Sequence, residues 1–407
     1  MRTCQNVAMT EMTPLVGESI LCFAPDRWTD IWRNRHQIMS RLAMENRVLY
    51  VEPRPYLRDV LGHLGQGCDP RPRCYQTVSG VHVYRSPRYA PLSGREPLAS
   101  LAARLRSRLL EANMRRLGMG SPIVWLFRPE HADIPGRYGE SLLIYHIVDD
   151  YGGYWGENAA RRAAIEARER ALMARADLVI VTSRALLETK AGVNPNTHLV
   201  RNAVDWDRFR TVLARRDEPE MLRGRSHPRI GYVGALNDKI DTGLLLHVAD
   251  SYPEGTLLLV GPDRVQSSEA RRDLDALHER ANVCMVGRVA VNEVPEYMGA
   301  CDVGLLPYRL NAWTRHIHPL KLYEYLASGL GVVSTDIPSV WEAQELVHIA
   351  EDAAGFVAGI RLALSERGDS WVSARRERAQ ANTWEQRVAR ISQLIAETRR
   401  QMRSQST

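Results

Sequence analysis

The chain has 407 residues, 44% of them hydrophobic and 25% charged, and a formal net charge of +6. This ordinary globular composition excludes wholesale disorder, and the length exceeds the roughly 250–300 residues that one hydrophobic core supports, so two domains are expected. No stretch approaches the roughly 18 consecutive apolar residues of a transmembrane helix, and residues 1–20 lack the apolar run of a secretory signal. Since the six cysteines are also scattered, we expect a cytoplasmic protein.

Short β-branched runs alternate with helical patterns through the first half of the chain. The predicted strands there are 19–24, 48–52, 81–85, 123–127, 142–148, 178–182 and 198–200, and the predicted helices are 30–45, 97–117, 157–174 and 184–191. Such alternation predicts a parallel, doubly wound sheet with helices on both faces.

A polar, charged stretch at 203–226 breaks this rhythm, which then restarts. The predicted strands are 229–233, 256–260, 282–286, 303–306 and 331–334, and the predicted helices are 242–250, 267–280, 291–300, 320–328 and 339–346, followed by a charged helical tail. We therefore expect a Rossmann-like domain at 1–202, a linker at 203–226, a second Rossmann-like domain at 227–370 and a tail at 371–407. Two such domains are expected to face each other across a cleft.

Positive charge is concentrated in the first half, because residues 1–200 contain 27 basic and 20 acidic side chains. This favours an anionic surface or acceptor near that half, or else a solvated basic face without a partner. Only three of the 54 basic residues are lysines, Lys190, Lys239 and Lys321, and the last two lie in the motifs described next.

The segment 302–336 contains more candidate ligand-binding side chains than any other part of the sequence. A strand ends at Pro307, a loop with two histidines follows, and a helix begins near Pro319, whose free N–H groups form an anion site. Lys321 lies in the first helical turn, where its positive charge is unfavourable because the amino end of a helix is itself positive. A bound diphosphate would explain a lysine at this position. Glu324 lies one turn on, where a carboxylate could accept both hydroxyls of a ribose. The alternative is a surface ion pair between Lys321 and Glu324.

The sequence LKLYEYLASGLGVVSTDIP, following DVGLLPY, resembles the donor-binding segment of the group 1 (family 4) retaining glycosyltransferases of the GT-B fold. Its K-x-x-E-Y-x-A-x-G pattern resembles the polysaccharide and teichuronic-acid-type members, and the resemblance covers about residues 18–390. It implies that Glu324 holds the donor ribose and that Lys321 contacts the phosphates. The family's second Glu, eight residues earlier, is His316 here, which leaves His316 or His318 as the candidate that handles the sugar ring.

Other parts of the expected donor site follow the neighbouring strands. Gly234 ends a strand and allows close backbone approach to a ligand, and Lys239 follows in the loop where the family supplies cations to the diphosphate. An ordinary strand-to-helix turn is the alternative. Tyr308 is a further donor-binding candidate. The pattern TS…NAVD…F resembles the family's TS…NGVD…F and predicts that Asn202 is a hinge or cap residue.

Acceptor-side candidates come from the first domain. Asp149 and Asp150 follow the strand 142–148 and are candidates, with His146, for contacting the acceptor hydroxyl, although Asp150 also suits a turn or helix cap. The segment 24–37 contributes three further candidates or else an ordinary amphipathic helix. They are Trp28, Arg35 and His36.

These residues predict a transferase that moves a sugar from a nucleoside-diphosphate sugar to a glycan or lipid-linked acceptor, with no cofactor beyond that co-substrate and no nucleic-acid partner. Retention at the anomeric carbon is implied by the resemblance alone. No acidic metal-binding pair accompanies the donor motif, so no obligatory metal is expected. The alternatives are a sugar-nucleotide 2-epimerase on the same fold and, because of His316, a binding protein without activity.

The segment 101–117, LAARLRSRLLEANMRRL, has leucines at helical spacing among arginines. A basic amphipathic helix predicts peripheral contact with anionic lipid at the inner face of the membrane. The alternative is a helix that covers the sheet and exposes a solvated arginine face. In both cases Leu101, Leu105 and Leu109 are expected to face the sheet.

Overall fold

The computed structural model describes residues 15–53, 74–87, 98–155, 158–215 and 218–405. The chain divides into two compact units. The N-terminal unit comprises Met1–Val181, Leu187–Val200 and Glu385–Thr407, and the C-terminal unit comprises Thr182–Leu186 and Arg201–Trp384. The described residues from Glu385 onwards therefore belong to the N-terminal unit.

The N-terminal unit is built on a sheet whose described strands run in the order β3-β4-β2-β1-β5-β6-β7-β8. All neighbours are parallel except β3 and β4. The strands are β1 Ser19–Phe23, β2 Arg47–Val51, β3 Cys74–Gln76, β4 His82–Tyr84, β5 Ile123–Leu126, β6 Leu142–Ile147, β7 Leu178–Val181 and β8 Thr197–Leu199. Helices α1 Asn34–Leu42, α2 Leu98–Arg116, α3 Ala159–Arg175 and α4 Arg184–Lys190 connect them. Strands β5 and β6 are buried throughout, as expected for a parallel sheet covered on both faces.

The C-terminal unit has an all-parallel sheet in the order β11-β10-β9-β12-β13-β14. The strands are β9 Arg229–Val233, β10 Thr256–Val260, β11 Val283–Gly287, β12 Val303–Leu306, β13 Gly331–Thr335 and β14 Val347–Ala350. The helices that follow α4 are α5 Trp206–Arg215, α6 Thr242–Ser251, α7 Ser268–His278, α8 Val294–Gly299, α9 Leu320–Ser328, α10 Ala353–Ser365, α11 Asp369–Gln380 and α12 Trp384–Gln405.

In both sheets, the order in which the chain adds strands reverses at one point, although the strands there remain parallel. In the C-terminal unit the chain builds outwards from β9 to β11 and then returns to start again at β12, which lies beside β9. In the N-terminal unit the same reversal lies between β1 and β5. Ligands of doubly wound sheets bind beyond the carboxyl ends of the strands at this switch point. The loops after β9 and β12 are therefore the first place to look for a site.

Several elements differ from those expected from the sequence. The stretch 339–346 forms a 3₁₀ turn, Pro338–Ala343, rather than an α-helix, and β14 and α10 follow it. The expected linker contains α5, whose apolar residues Trp206, Phe209 and Leu213 have helical spacing within a mainly polar sequence. Phe209 is buried, and Trp206 and Leu213 pack against the core of the C-terminal unit. Tertiary packing thus orders a segment that composition alone made a linker.

The expected tail forms two helices that belong to different units. Helix α11 packs against α9 in the C-terminal unit, and its Arg375 is buried against Glu366 at 2.7 Å. From Glu385 onwards α12 belongs to the N-terminal unit, where Glu385 pairs with Arg41 at 2.6 Å and Arg399 pairs with Glu18. None of the described helices combines the length and the apolar character needed to cross a membrane.

Candidate active site

The central contact of the candidate site joins α9 to the loop after β9. Helix α9 begins at Leu320 with no acidic residue in its first turn, so Lys321 is the charged group at this end. Its Nζ lies 5.0 Å from the centroid of the Tyr232 ring, and a methyl group at Gly234 would overlap Cε and Nζ of the lysine. The fold therefore brings together two of the residues expected to bind the donor, at the switch point of the sheet.

Glycines pack the neighbouring loops backbone against backbone. The Gly234 N–H donates to the Val260 carbonyl at 2.6 Å, and the Gly261 N–H donates to the Gly287 carbonyl at 2.7 Å. A methyl group at Gly261, which has φ of +141°, would overlap the Gly234 carbonyl. The ends of β9, β10 and β11 consequently present an edge made largely of backbone, which a ligand can approach closely.

Lys239 lies in the same loop and reaches an aromatic side chain. Its Nζ is 4.5 Å from the centroid of Trp313, a geometry typical of a cation–π contact. The Lys239 carbonyl accepts the Arg309 N–H at 2.9 Å, and Ile240 forms a bridge with Tyr308. These contacts join the loops after β9 and β12. Tyr308 itself is buried, so its backbone contributes more to this edge than its side chain.

Glu324 is half-buried on α9, near charged groups from two elements. Burial raises the pKa of this carboxyl, and the charges of Lys321 and Arg208 act in the opposite direction. Arg208 pairs with Asp205 at 3.0 Å, and both belong to the segment expected to be a linker. Reasoning from the sequence missed this pair, although the spacing of Asp205 and Arg208, one turn apart at the start of a helical pattern, was a usable signal.

The two histidines before α9 differ in environment. His318 is buried, and its Nε2 lies 2.8 Å from Oε1 of Glu342, an oxygen that also accepts the Tyr323 hydroxyl at 2.8 Å. Burial alone would raise the pKa of Glu342, but the hydrogen bond from His318 and the charges of His318 and Arg201 hold the pKa below its usual range. His316 is half-buried, with Nδ1 2.9 Å from the Ala312 carbonyl. Of the two, His316 is the more accessible to a ligand.

Two side chains from the start of the C-terminal unit hold this histidine loop by its backbone. The Ser183 hydroxyl donates to the His316 carbonyl at 2.7 Å, and the Asn202 amide donates to the His318 carbonyl at 2.6 Å. Asn202, expected to be a hinge or cap, is thus bonded to the segment that leads into α9. We call Ser183 and Asn202 the loop clamp.

The expected acceptor-side residues Trp28 and His36 lie in an aromatic cluster of the core rather than at an open surface. Trp28 packs edge-on to Tyr50 at 5.0 Å, and His36 lies 5.2 Å from Trp28. His36 Nδ1 accepts the Arg33 N–H and Nε2 lies 3.3 Å from the Arg27 carbonyl, an arrangement that caps α1. Burial lowers the pKa of His36 to about 3, so the ring is neutral.

Arg35 and His146 are likewise buried. Arg35 pairs with Asp26, and its guanidinium lies 5.8 Å from the Phe127 ring. The His146 ring stacks on Phe127 at 5.1 Å, and burial, reinforced by the charge of Arg35, lowers the pKa of His146 to about 3. Among the described residues neither ring nitrogen of His146 has a hydrogen-bond partner. Both side chains pack against Phe127, the residue that follows β5.

Asp149 and Asp150 lie at the carboxyl end of β6. Asp149 is buried and accepts the Tyr154 hydroxyl at 2.7 Å and the Asp150 N–H at 3.0 Å. The Asp150 carbonyl accepts the Gly153 N–H, so Asp150 is a turn residue. Asp149 therefore orders the loop after β6. No group of three or more His, Cys, Asp or Glu side chains with the arrangement of a metal site occurs in the described ranges.

The chain is similar to known proteins in sequence and in fold. Residues 227–366 match the family model described as Glycosyl transferases group 1. The chain is 30% identical over 237 residues, 55% of its length, to TuaH of Bacillus subtilis (strain 168), provisionally named a teichuronic acid biosynthesis glycosyltransferase. The matched stretch spans only 58% of that relative.

Solved structures match nearly the whole chain. Sucrose-phosphate synthase from Thermosynechococcus elongatus has a TM-score of 0.70 and 18% identity, with 93% of this chain and 98% of that one covered. Alr3699/HepE of Anabaena in complex with UDP-glucose has a TM-score of 0.66 and 15% identity, over 93% and 99% of the two chains. The chain has the GT-B fold, as expected from its sequence.

Proposed function

We propose that this protein transfers a sugar from a nucleoside-diphosphate sugar to a glycan or lipid-linked acceptor. The match of residues 227–366 to the group 1 glycosyltransferases and the GT-B fold of the chain support this proposal. The observation that carries the proposal is the position of Lys321 across Gly234 at the switch point of the C-terminal sheet. That HepE was crystallised with UDP-glucose supports a sugar nucleotide as the donor.

The proposed chemistry is separation of charge at the donor. Breaking the bond between the anomeric carbon and the phosphate oxygen leaves positive charge on the sugar and negative charge on the diphosphate. A fixed cation aimed at that diphosphate stabilises the transition state, and Lys321 with the amino end of α9 supplies one, with Lys239 as a second cation. Glu324 is proposed to accept the ribose hydroxyls, and His316 is the candidate nearest the sugar.

Retention at the anomeric carbon and independence of a metal ion are parts of the proposal. Retention rests on the likeness to the group 1 family. Independence of metal rests on the two lysines, because ammonium groups can neutralise the leaving diphosphate where a metal ion would otherwise do so. The acceptor unit is proposed to be the N-terminal one, with Asp149 ordering a loop at the edge of its sheet.

Peripheral contact with an anionic membrane is also proposed, from the outer face of α2. Contrary to the expectation, Leu101 is 65% exposed and Leu105 is 37% exposed, whereas Leu110 and Met114 are buried. Arg104 and Arg108 share the exposed face. A face with both leucines and arginines suits the boundary between headgroups and acyl chains better than a purely solvated arginine face does. We accordingly propose a cytoplasmic protein that contacts the inner face of the membrane.

One experiment separates transfer from its alternatives. Thermal unfolding with a set of nucleoside-diphosphate sugars identifies the donor. The sugar nucleotide that binds the folded protein raises the midpoint temperature of unfolding by mass action. With that donor, release of free nucleoside diphosphate is then measured with and without glycan acceptors. Release that requires an acceptor supports transfer. Conversion of the donor sugar without an acceptor indicates a 2-epimerase, and donor binding without turnover under all conditions indicates a binding protein.

A further inference from the structure

One carboxylate outside the donor motif bonds to the chain on both sides of the point where α9 begins. Oε1 of Glu342 accepts hydrogen bonds from His318 Nε2 and from the Tyr323 hydroxyl, each at 2.8 Å. His318 immediately precedes Pro319, the residue before the helix, and Tyr323 is the fourth residue of the helix. The second oxygen of the carboxylate, Oε2, pairs with Arg201.

Glu342 is itself held in place by the core of the C-terminal unit. It lies in the 3₁₀ turn Pro338–Ala343, in which Val340 and Ala343 are fully buried. Arg378 of α11 donates to the Glu342 carbonyl at 3.0 Å. The carboxylate therefore extends from a fixed backbone, and its bonds can position the start of α9.

The amino end of α9 lacks the usual side-chain cap. The first four N–H groups of a helix have no acceptor within the helix, and a capping side chain normally binds one of them. Within the described part of the chain, Pro319 makes no side-chain hydrogen bond and the first turn of α9 has no acidic residue. The N–H groups that a cap would occupy are thus left for an anion, and Glu342 anchors the helix without blocking them.

The bond to Glu342 also determines how the His318 ring is held. The ring is buried, and its Nδ1 has no hydrogen-bond partner in the described ranges. It stacks on Tyr323, with ring centroids 5.9 Å apart. Removing the carboxylate would leave the buried Nε2–H group of His318 without this acceptor, which is costly in a buried position. We therefore expect the histidine and the helix start to shift when the carboxylate is lost.

We infer that Glu342 is a positioning residue of the proposed donor site. By holding His318 and Tyr323, it sets where Lys321 and the N–H groups of α9 lie relative to the leaving diphosphate. The inference rests on the proposed function and adds to it a residue that acts through others. Both bonds to the helix start end on one oxygen, so Glu342→Gln keeps an acceptor there and Glu342→Ala removes it.

The kinetic test compares Glu342→Ala, Glu342→Gln and a matched control, Glu345→Ala. Glu345 is exposed, lies three residues further on and also pairs with an arginine, Arg378. We measure kcat, and donor affinity by calorimetry, at a temperature at which each variant is folded. A misplacement of about 1 Å can cost about 10²-fold in rate. We expect Glu342→Ala to lower kcat by about tenfold or more and to weaken donor binding much less, Glu342→Gln to restore most of kcat, and the control to behave like the native chain.

Tyr323→Phe tests whether Glu342 acts through its partners. This variant removes one of the two bonds and keeps the ring, so it should fold and lose less kcat than Glu342→Ala. In the Glu342→Ala background the same change should cost little more, because the bond is already gone. Losses that multiply would contradict the inference.

Amide hydrogen exchange of the segment 316–328, measured by mass spectrometry on the full chain without donor, gives a readout besides activity. Exchange should be faster in Glu342→Ala than in the native chain, Glu342→Gln or Glu345→Ala. Unchanged exchange, equal losses of kcat in Glu342→Ala and Glu345→Ala, or a kcat in Glu342→Gln as low as in Glu342→Ala would overturn the inference and leave the proposed function intact. A native chain that turns over no sugar nucleotide refutes the proposed function instead, and the exchange rates then still decide whether Glu342 holds the start of α9.

Discussion

Lys321 lies across the backbone of Gly234, in the space that any larger residue at position 234 would occupy. This contact ties the first turn of α9 to the end of β9. Its ammonium group lies beside the Tyr232 ring, at the switch point of the sheet. The geometry makes the two positions interdependent.

Gly234→Ala is therefore expected to displace Lys321 and to lower kcat nearly as much as Lys321→Ala does. The double variant should be hardly worse than Lys321→Ala alone, because both changes remove the same interaction. Gly224→Ala is the matched control, since Gly224 also has a positive φ and a methyl group there meets nothing within 4 Å. Steady-state kinetics of the four proteins check this, and losses that simply multiply would contradict it.

Lys321→Met, which keeps length and removes charge, should lower kcat more than it weakens donor binding. Loss of one group that stabilises transition-state charge typically costs about 10²–10³ in kcat. We expect Lys321→Arg to restore little, because Cε and Nζ of the lysine already fill the space beside Gly234 and a planar guanidinium is larger than an ammonium group. Donor affinity by calorimetry, beside kcat, separates the two effects. A raised KM with normal kcat would mean that Lys321 only binds.

Glu324→Gln should weaken donor binding by about 1.5–3 kcal/mol, the usual worth of a hydrogen bond to a charged group. Burial raises the pKa of this carboxyl, so in the native protein the donor affinity should fall as the pH is lowered towards that pKa, where the carboxylate becomes protonated. The variant should lack this pH dependence. Glu254→Gln, at an exposed position, is the control. Unchanged donor affinity in folded Glu324→Gln would remove Glu324 from the site.

The loop clamp should act on turnover through the loop that carries His316. We expect Asn202→Ala to cost only about 0.5–1.5 kcal/mol of unfolding free energy, the net worth of one hydrogen bond. Its effect on kcat should be larger than that of an equally destabilising core change such as Ile360→Val, because it releases the backbone of His318. Thermal unfolding and kinetics of both variants compare the two. Equal losses of kcat would make the clamp merely structural.

Membrane contact should depend on both the leucines and the arginines of the exposed face of α2. Leu101→Gln with Leu105→Gln should reduce sedimentation with vesicles that contain phosphatidylglycerol, and Arg104→Gln with Arg108→Gln should reduce it further. Binding should weaken with salt, since the Debye length falls to about 3 Å at 1 M. Equal binding to neutral phosphatidylcholine vesicles, or none to either kind, would refute the electrostatic contact.

The sequence by itself determined the two α/β units, most of their strands and the position of α9. Apolar runs such as those of β9 and β12, ended by Gly234 and Pro307, are local signals that hold whatever the rest of the chain does. The spacing of Lys321 and Glu324 on one helix is equally local. The GT-B expectation came from the resemblance of the segment 302–336 to a family with that fold.

Only the tertiary structure decided which face of each element is buried. His36 and His146 look like polar candidates in the sequence, but packing against Trp28 and Phe127 makes them neutral core residues. Leu101 looks like a core leucine, yet α2 turns Leu110 and Met114 to the sheet instead. Helical periodicity shows which residues share a face, but it does not show which face is buried. That depends on the elements that pack against the helix, which are distant in the sequence.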